Sequence, residues 1–266
     1  MGKASLILAL TAFAALGGCV QSRQYANVEF AAPQGDYDLI VMRPVVAVGT
    51  VTAGGLVEPN AEWSQQARTH LLESLRRYQA EQGGRTVFLE NRAGVEGVPP
   101  ETVANLERLF VAVGNSIILH RYMGADLPTK RGRGIDWTLG EDAVAFGRAT
   151  GMEYALFLHA EDSIASTERT ALQIVGIAGC VIGFCAPQEG GGQAAYASLV
   201  DLRTGEVAWF NILQTSSLLP GVRFGDLRTA EGADQLVDRL IGRVRAGRNV
   251  RGEVEVEGQE PPPEPQ

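Results

Sequence analysis

A short apolar run at the start of the chain limits which residues can take part in the fold. One cation, Lys3, precedes an uncharged stretch from Leu6 to Leu16. A transmembrane helix needs about 20 apolar residues to cross the hydrocarbon core, but this run is shorter and polar residues follow it from Gln21 onward. A cation followed by an apolar run of this length is typical of a secretory signal, which is removed from the mature protein. We therefore predict that residues 1–18 are a signal peptide.

The end of this segment, Leu16-Gly17-Gly18-Cys19, resembles the lipobox of bacterial lipoproteins, in which a branched residue and two small residues precede a cysteine. The resemblance implies cleavage before Cys19, diacylation of its sulfur and acylation of the new amine. Two or more acyl chains give stable membrane anchoring. In this family an aspartate after the cysteine retains the protein in the inner membrane, and Val20 stands there instead. The resemblance therefore predicts lipid attachment at Cys19 and a place in the outer membrane, facing the periplasm.

The composition is that of a globular protein and argues against nucleic acid as a partner. Of the 266 residues, 45% are hydrophobic and 20% are charged, as in ordinary globular domains. The formal net charge is −8, whereas nucleic-acid binding needs clustered lysine and arginine. The expected partners are the membrane, through the lipid anchor, and either another envelope protein or a second copy of the chain.

Two cysteines remain once Cys19 is assigned to the lipid. Cys180 and Cys185 would lie about 17 Å apart on a straight strand, and a disulfide needs Cα atoms within about 7 Å. A bond between them therefore requires a turn, which Gly183 can supply. Two interpretations stand: a disulfide, as an oxidising compartment favours, or two buried thiols that act as small hydrophobic groups. The spacing does not predict a metal site.

Hydrophobic periodicity and turn residues predict the element order β-α-β-α-α-β-β-β-β-α. The predicted strands are 38–48, 86–90, 153–160, 171–186, 194–202 and 207–213. Apolar residues at helical spacing within 63–78, 103–117 and 233–244 mark three predicted helices, and a further helix runs from its cap at residue 138 to about residue 150. Helices separate the early strands and hairpins join the late ones, so we expect an α/β (α+β) fold with a mixed β-sheet packed against helices. The predicted organisation is a tether over 19–36, a single periplasmic α/β domain over 37–248, and a disordered Glu- and Pro-rich tail over 249–266.

Four local signals refine these boundaries. Pro44 is expected to break the first strand or place it at an edge. Asn60 is a suitable N-cap for the first helix. Thr138 and Glu141 fit a capping box, and Gly151 suits the residue that follows that helix.

The segment from Ala171 to Ala186 is uncharged and is the most apolar part of the mature chain. It is too short to span a membrane, and its glycines disfavour a helix. The main interpretation is a central strand or bent hairpin covered by helices. The alternative is a partly exposed element for self-association or membrane contact. The two interpretations differ at Ile177 and Ile182, which are buried in the first and exposed in the second.

The segment Leu199–Trp209 resembles a hairpin that recurs in periplasmic lipoproteins. Its letters LVDLRTGEVAW are similar to those in the group that contains the curli secretion lipoprotein and the activators of penicillin-binding proteins. In that group an α/β domain packs a mixed sheet against helices and scaffolds envelope assemblies without catalytic residues. The resemblance therefore implies a non-enzymatic scaffold, assembly or partner-binding role.

The sequence contains no P-loop, His-Glu-x-x-His helix, dinucleotide turn or nucleophile elbow. No cofactor and no metal are therefore predicted, and we interpret His70, His120 and His159 as packing residues. One enzymatic alternative stays open: a periplasmic hydrolase or cell-wall enzyme in which Asp136, Asp162 and other distant acids converge in a cleft with His159. Asp201 also belongs to this set of candidate acids. Two carboxylates that lie close together can perform acid–base catalysis.

The lipid assignment predicts the behaviour of one variant. Cys19→Ala should abolish labelling by a palmitate analogue, because it removes the sulfur that carries the acyl chains. The precursor should stay uncleaved or the protein should become soluble. Normal labelling of this variant, measured against the unmodified chain in the same cells, would contradict the anchor.

Overall fold

The computed structural model describes residues 37–82, 84–93, 95–130, 136–181, 189–215 and 223–242, and the backbone of residues 21–26. Within these residues, eight strands form one mixed sheet and five α-helices accompany it, which confirms the predicted α/β class. The strands are β1 (Gln21–Ala26), β2 (Asp38–Val41), β3 (Val45–Val51), β4 (Val57–Pro59), β5 (Arg85–Phe88), β6 (Tyr154–Ala165), β7 (Gln193–Asp201) and β8 (Val207–Gln214). The helices are α1 (Ala61–Ala80), α2 (Pro100–Arg121), α3 (Gly140–Thr150), α4 (Thr167–Val181) and α5 (Ala230–Ile241).

Strand β6 organises the sheet because neighbours occupy both of its edges. One edge pairs with β7 in antiparallel fashion, from Tyr154 opposite Asp201 to Asp162 opposite Gln193. The other edge pairs first with β2 and then with β3, both parallel to it. Beyond β7 the sheet continues through β8 to β1, β5 lies beyond β2, and β4 forms a hairpin with β3.

The strand pairing is interrupted between β2 and β3, at Pro44, as the sequence predicts. Proline has no backbone N–H to donate to a ladder. The N–H of Met42 donates to Leu156 O at 2.9 Å, and regular pairing resumes where Val45 lies opposite His159. The predicted strand 38–48 is therefore two consecutive strands along one edge of β6.

Alternate residues of the sheet face two separate hydrophobic cores. Leu156 and Leu158 of β6 pack in the core that contains residues of α1 and α5, whereas Ala155 and Phe157 pack in the core that contains residues of α2 and α3. Successive side chains of a strand point to opposite faces. A strand covered on both faces therefore has an almost continuous apolar sequence, which is why β6 could be predicted.

Two helix boundaries follow their sequence signals, and a glycine also occupies the turn between β7 and β8. Asn60 caps α1, since its side-chain oxygen accepts a hydrogen bond from Trp63 N at 2.9 Å. Gly151 ends α3 with a φ of 66°, and Gly205 has a φ of 75° in the turn between β7 and β8. Both values are in the left-handed region that glycine adopts at little cost.

The predicted capping box at the start of α3 is wrong. The helix begins at Gly140, and no side chain caps it. Thr138 Oγ1 accepts a hydrogen bond from Gly140 N at 2.8 Å and donates one to Gly205 O at 2.8 Å. Its hydroxyl therefore ties the approach to α3 to the β7–β8 turn, a tertiary contact that the local pattern with Glu141 cannot reveal.

The prediction of a tether over residues 19–36 is wrong for residues 21–26. These residues form β1, which pairs with the outer edge of β8 from Gln21 opposite Gln214 to Ala26 opposite Trp209. Backbone groups alone form such a ladder, so the polar sequence of β1 gives little warning of it. The predicted tail, 249–266, lies outside the described residues.

The prediction of a strand over residues 171–186 is wrong for the part that the structure describes. Residues 167–181 form α4, whose start is held by a hydrogen bond from Arg169 N to Ser166 Oγ at 3.1 Å. A central strand has no place here, because β6 and β7 pair directly with each other along nine residues. The segment therefore leaves the end of β6 as a helix.

Helix α2 is the one helix among the described residues that is long and apolar enough to cross a membrane by length and composition. Its residues Val103, Leu106, Phe110 and Ile117 are buried in the hydrophobic core. This pattern is that of a core helix.

The packing of α2 predicts a steric effect at Gly114. A Cβ at this position would lie 2.4 Å from Cε2 of Tyr196. Glycine-to-alanine changes in helices are otherwise stabilising by about 1 kcal/mol, but overpacking costs about 1–3 kcal/mol. We expect Gly114→Ala to lower the melting temperature. Asn115→Ala, at the exposed neighbouring position, should raise it slightly, because alanine is the better helix former. An equal or higher melting temperature for Gly114→Ala would contradict this packing.

Candidate functional site

Helix α4 buries polar side chains and exposes apolar ones, which is the reverse of the usual arrangement in a soluble domain. Arg169 and Gln173, four residues apart, are 9% and 2% exposed. Leu172, Ile174 and Val175 are 46%, 56% and 69% exposed. A surface helix normally buries its apolar side chains and presents the polar ones to water. The apolar side of α4 is therefore an uncovered surface in the described part of the chain.

The polar side of α4 is held inward by hydrogen bonds to backbone. Arg169 donates from Nε to Glu189 O at 2.7 Å and from Nη1 to Ala53 O at 3.2 Å. Gln173 lies directly against Gly190, where an added Cβ would approach Gln173 Nε2 to 2.4 Å. These contacts join the helix to the loop before β7 and to the β3–β4 hairpin.

A cavity of about 300 Å³ at the end of the sheet explains this orientation. Its lining combines the polar residues Glu161, Ser163, Arg169, Glu189, Gln193, Gln214 and Thr215 with Val51, Val57 and small residues. An apolar helix face turned toward this end of the sheet would cover polar groups without satisfying their hydrogen bonds, which is costly. The polar surface beneath α4 therefore favours the orientation in which Leu172 and Val175 point outward.

The β3–β4 hairpin adds two more exposed apolar side chains at the same end. Leu56 is 73% exposed and Val57 is 53% exposed. Gly55 of the hairpin lies against the Arg169 guanidinium, which an added Cβ would approach to 3.5 Å. Five of the eight exposed large hydrophobic residues in the described chain thus belong to α4 and this hairpin. We call these five the apolar end: Leu56, Val57, Leu172, Ile174 and Val175.

The register of β1 brings Gln21, the first residue of that strand, to the apolar end. Gln21 pairs with Gln214, and Gln214 lines the same cavity as Val57 and Arg169. Two residues of extended chain reach no more than about 7 Å. The position predicted to carry the lipid, Cys19, is two residues before Gln21 and lies outside the described residues.

The other predicted site residues have mixed outcomes. Ile177 is half-buried on α4, so its burial does not choose between the two interpretations of this segment. Ile182 and Cys185 lie outside the described residues. Cys180 falls within α4, and both interpretations of the cysteine pair, a disulfide and two buried thiols, stay predictions.

The structure does not bring the candidate catalytic acids together. Asp162 lies opposite Gln193 and Asp201 lies opposite Tyr154, which separates them by eight residues of strand, or roughly 26 Å. Asp201 instead accepts a hydrogen bond from Arg203 Nε at 2.9 Å within the β7–β8 turn.

The remaining members of the proposed catalytic set have structural contacts. Asp136 lies 3.6 Å from Lys130 Nζ. His159 stacks on Tyr196 with ring centroids 4.7 Å apart, and burial lowers the pKa of His159, partly opposed by Glu161. Among the described residues, no group of three or more His, Cys, Asp or Glu side chains could hold a metal ion.

Asp162 belongs to a buried ion pair. Both of its carboxylate oxygens accept hydrogen bonds from Arg223 Nη2, and Gln193 also bonds to it. Burial raises the pKa of Asp162, while Arg223 and Gln193 oppose that shift. Gln193 in turn accepts from Phe224 N at 2.6 Å. The pair therefore ties the segment before α5 to strand β6.

Comparison with known proteins leaves the family open. No known protein family matches the chain, and no characterised protein matches its sequence. The chain is similar at 11% identity to the PelC dodecamer from Paraburkholderia phytofirmans, over 85% of this chain and 97% of that one, with a TM-score of 0.34. A variant of the same dodecamer matches at 13% identity, over 86% of this chain and 99% of that one, with a TM-score of 0.33. Similarity at this level carries no inference about function.

The buried ion pair predicts an unequal effect of removing its two partners. Arg223→Met leaves the fully buried Asp162 carboxylate without its cation, which costs about 3–5 kcal/mol. Asp162→Asn should cost less, because the Arg223 side chain is 22% exposed and can reach water. Urea unfolding at neutral pH measures both.

The loss in Arg223→Met should shrink as the pH falls. Burial already raises the pKa of Asp162, and loss of the opposing Arg223 cation raises it further above the unfolded value. The penalty is therefore full above the folded pKa and declines as the pH falls from there to the unfolded pKa. Equal losses for the two variants, or a pH-independent loss in Arg223→Met, would contradict the pair.

Proposed function

We propose that this protein is a membrane-anchored lipoprotein of the bacterial envelope that acts by binding, as a non-enzymatic scaffold, assembly or partner-binding module. One observation carries the proposal: the apolar side of α4 faces outward while its polar side is bonded to the domain. An exposed apolar surface of this kind usually marks a binding surface. The lipobox at Cys19 supplies the anchor.

The arrangement of the acids supports binding over hydrolysis. Acid–base catalysis needs groups within hydrogen-bonding reach of the same reacting atoms. Asp162 is paired with Arg223 in the interior, and Asp201 is bonded to Arg203 at the other end of the strands. Neither carboxylate is available to a shared substrate.

The anchor and the absence of an aspartate after it also define the proposed location. Val20 follows Cys19, which by the lipoprotein sorting rule favours the outer membrane. The domain would then face the periplasm. In that position the domain would bind components of the envelope, and its lipid anchor would hold it at the membrane surface.

The proposal predicts that anchoring is required for function and that the candidate catalytic acids are not. Chemical crosslinking of intact cells should give discrete covalent species that contain the lipidated chain. These species should disappear in Cys19→Ala and persist in the double variant Asp136→Asn, Asp201→Asn. Immunoblotting of membrane fractions, with equal protein amounts verified, measures both effects.

Two results would contradict the proposed function. The first is a lipidated chain that yields no crosslinked species under any condition. The second is hydrolysis of peptidoglycan or envelope polysaccharide by the purified chain that is lost in the double variant, which would make it an enzyme.

A further inference from the structure

We infer that the apolar end rests on the lipid surface, with α4 lying in the plane of the membrane interface beside the lipid anchor. This inference rests on the proposed function, because it needs the acyl chains at Cys19. The five exposed side chains are covered by the boundary between the headgroups and the acyl chains of the membrane in which the protein is anchored.

The position of the chain start carries the first step. The backbone of β1 begins at Gln21, at the end of the sheet that also holds the cavity below α4. Cys19 is two residues earlier, so its Cα can be no more than about 7 Å from the Gln21 backbone, and the acyl chains on its sulfur would enter the bilayer near this end of the sheet. The end of the domain that bears Val57 and Arg169 must therefore lie near the lipid surface.

The polarity of α4 carries the second step. No charged residue occurs from Thr170 to Val181, and the polar Gln173 is turned inward. Protein interfaces use hydrogen bonds, at a density of roughly one per 100–200 Å², and this outward surface offers few polar side chains to make them. Hydrocarbon requires none. A lipid surface therefore fits the apolar side of α4 better than a polar protein surface does.

The dimensions of α4 decide how it meets the membrane. A helix of 15 residues is about 22 Å long at 1.5 Å per residue, short of the ~30 Å hydrocarbon core. It therefore lies along the interface, where amphipathic helices bury their apolar face about 5–10 Å deep. The inward hydrogen bonds of Arg169 fix which side enters the lipid.

Because the lipid anchor already holds the domain at the membrane, a small apolar surface is sufficient for α4 to contact the lipid. Once lipid holds the domain at the membrane, contact by α4 becomes an intramolecular event with a high effective concentration. The apolar end then does not recruit the protein. It fixes the orientation of the domain, so that the β7–β8 turn at the other end of the sheet points away from the membrane.

The test uses the mature lipidated chain in phosphatidylethanolamine–phosphatidylglycerol vesicles with brominated acyl chains, which quench nearby tryptophan. Val175→Trp places the probe on the apolar side of α4. Met123→Trp is the matched control, because Met123 is 71% exposed, as Val175 is 69% exposed. The emission of the unmodified chain, from its three native tryptophans, is subtracted.

The control position lies at the other end of the domain. His120, in the last turn of α2, contacts Trp137 with ring centroids 6.5 Å apart. Trp137 O accepts from Val207 N, where β8 begins beside the β7–β8 turn. Met123 is therefore far from the start of β1.

We expect the added emission of Val175→Trp to be lost on brominated vesicles and retained on unbrominated ones, and that of Met123→Trp to be retained on both. Equal quenching of the two variants, while both float with the vesicles, overturns the inference and leaves the proposed function standing. A chain that carries no lipid and stays in solution overturns both. If Val175→Glu converts an oligomer in detergent into monomers, the apolar end is covered by a second copy and the membrane is the wrong occupant.

Discussion

The pairing of β6 on both edges is the constraint on which the rest of the structure depends. β7 takes one edge, and β2 and β3 share the other because Pro44 divides the chain between them. With both edges closed, the residues after β6 cannot add a strand beside it. They leave the end of the sheet as α4, over a cavity with mostly polar residues in its lining. The orientation of α4 is thus a consequence of how the sheet ends.

The polar side of α4 determines what the apolar side can do. A buried guanidinium is tolerated when its donors are satisfied, and Arg169 donates to the carbonyl oxygens of Glu189 and Ala53. Those bonds hold the helix in place without using its apolar residues. The described part of the fold therefore leaves Leu172, Ile174 and Val175 exposed. This division between a bonded inner side and an uncovered outer side underlies the proposed binding role.

Most elements could be predicted because their own residues encode them. The apolar run of β6, the Asn60 cap and the β7–β8 turn with Gly205 are local signals that tertiary contacts did not override. The sequence pattern predicts a strand in place of α4 because the uncharged segment begins at Ala171 and does not include Arg169. The spacing of four residues between Arg169 and Gln173 is the helical signal.

The apolar end could not be predicted from the sequence for a different reason. It combines α4 with the β3–β4 hairpin, which are far apart in the chain and are joined by the Arg169 hydrogen bond to Ala53 O. The start of β1 lies beside them through strand register. The pairing of β1 with β8 uses backbone groups, which do not depend on the side-chain pattern. The buried ion pair is equally hidden from local patterns, because Arg223 is 61 residues from Asp162 in the chain. Sequence patterns report local periodicity and do not report these contacts.

The central claim is that one end of the domain, marked by α4, faces lipid. Photoactivation of a phospholipid with a reactive group in its acyl chain, with the unmodified lipidated protein in vesicles, tests it most directly. Mass spectrometry would then locate the labelled peptides. The account predicts labels on peptides that contain Leu172–Val175 and Leu56–Val57, in addition to the acylated N-terminal peptide. Labels confined to the N-terminal peptide, or found around Met123 at the opposite end, would contradict it.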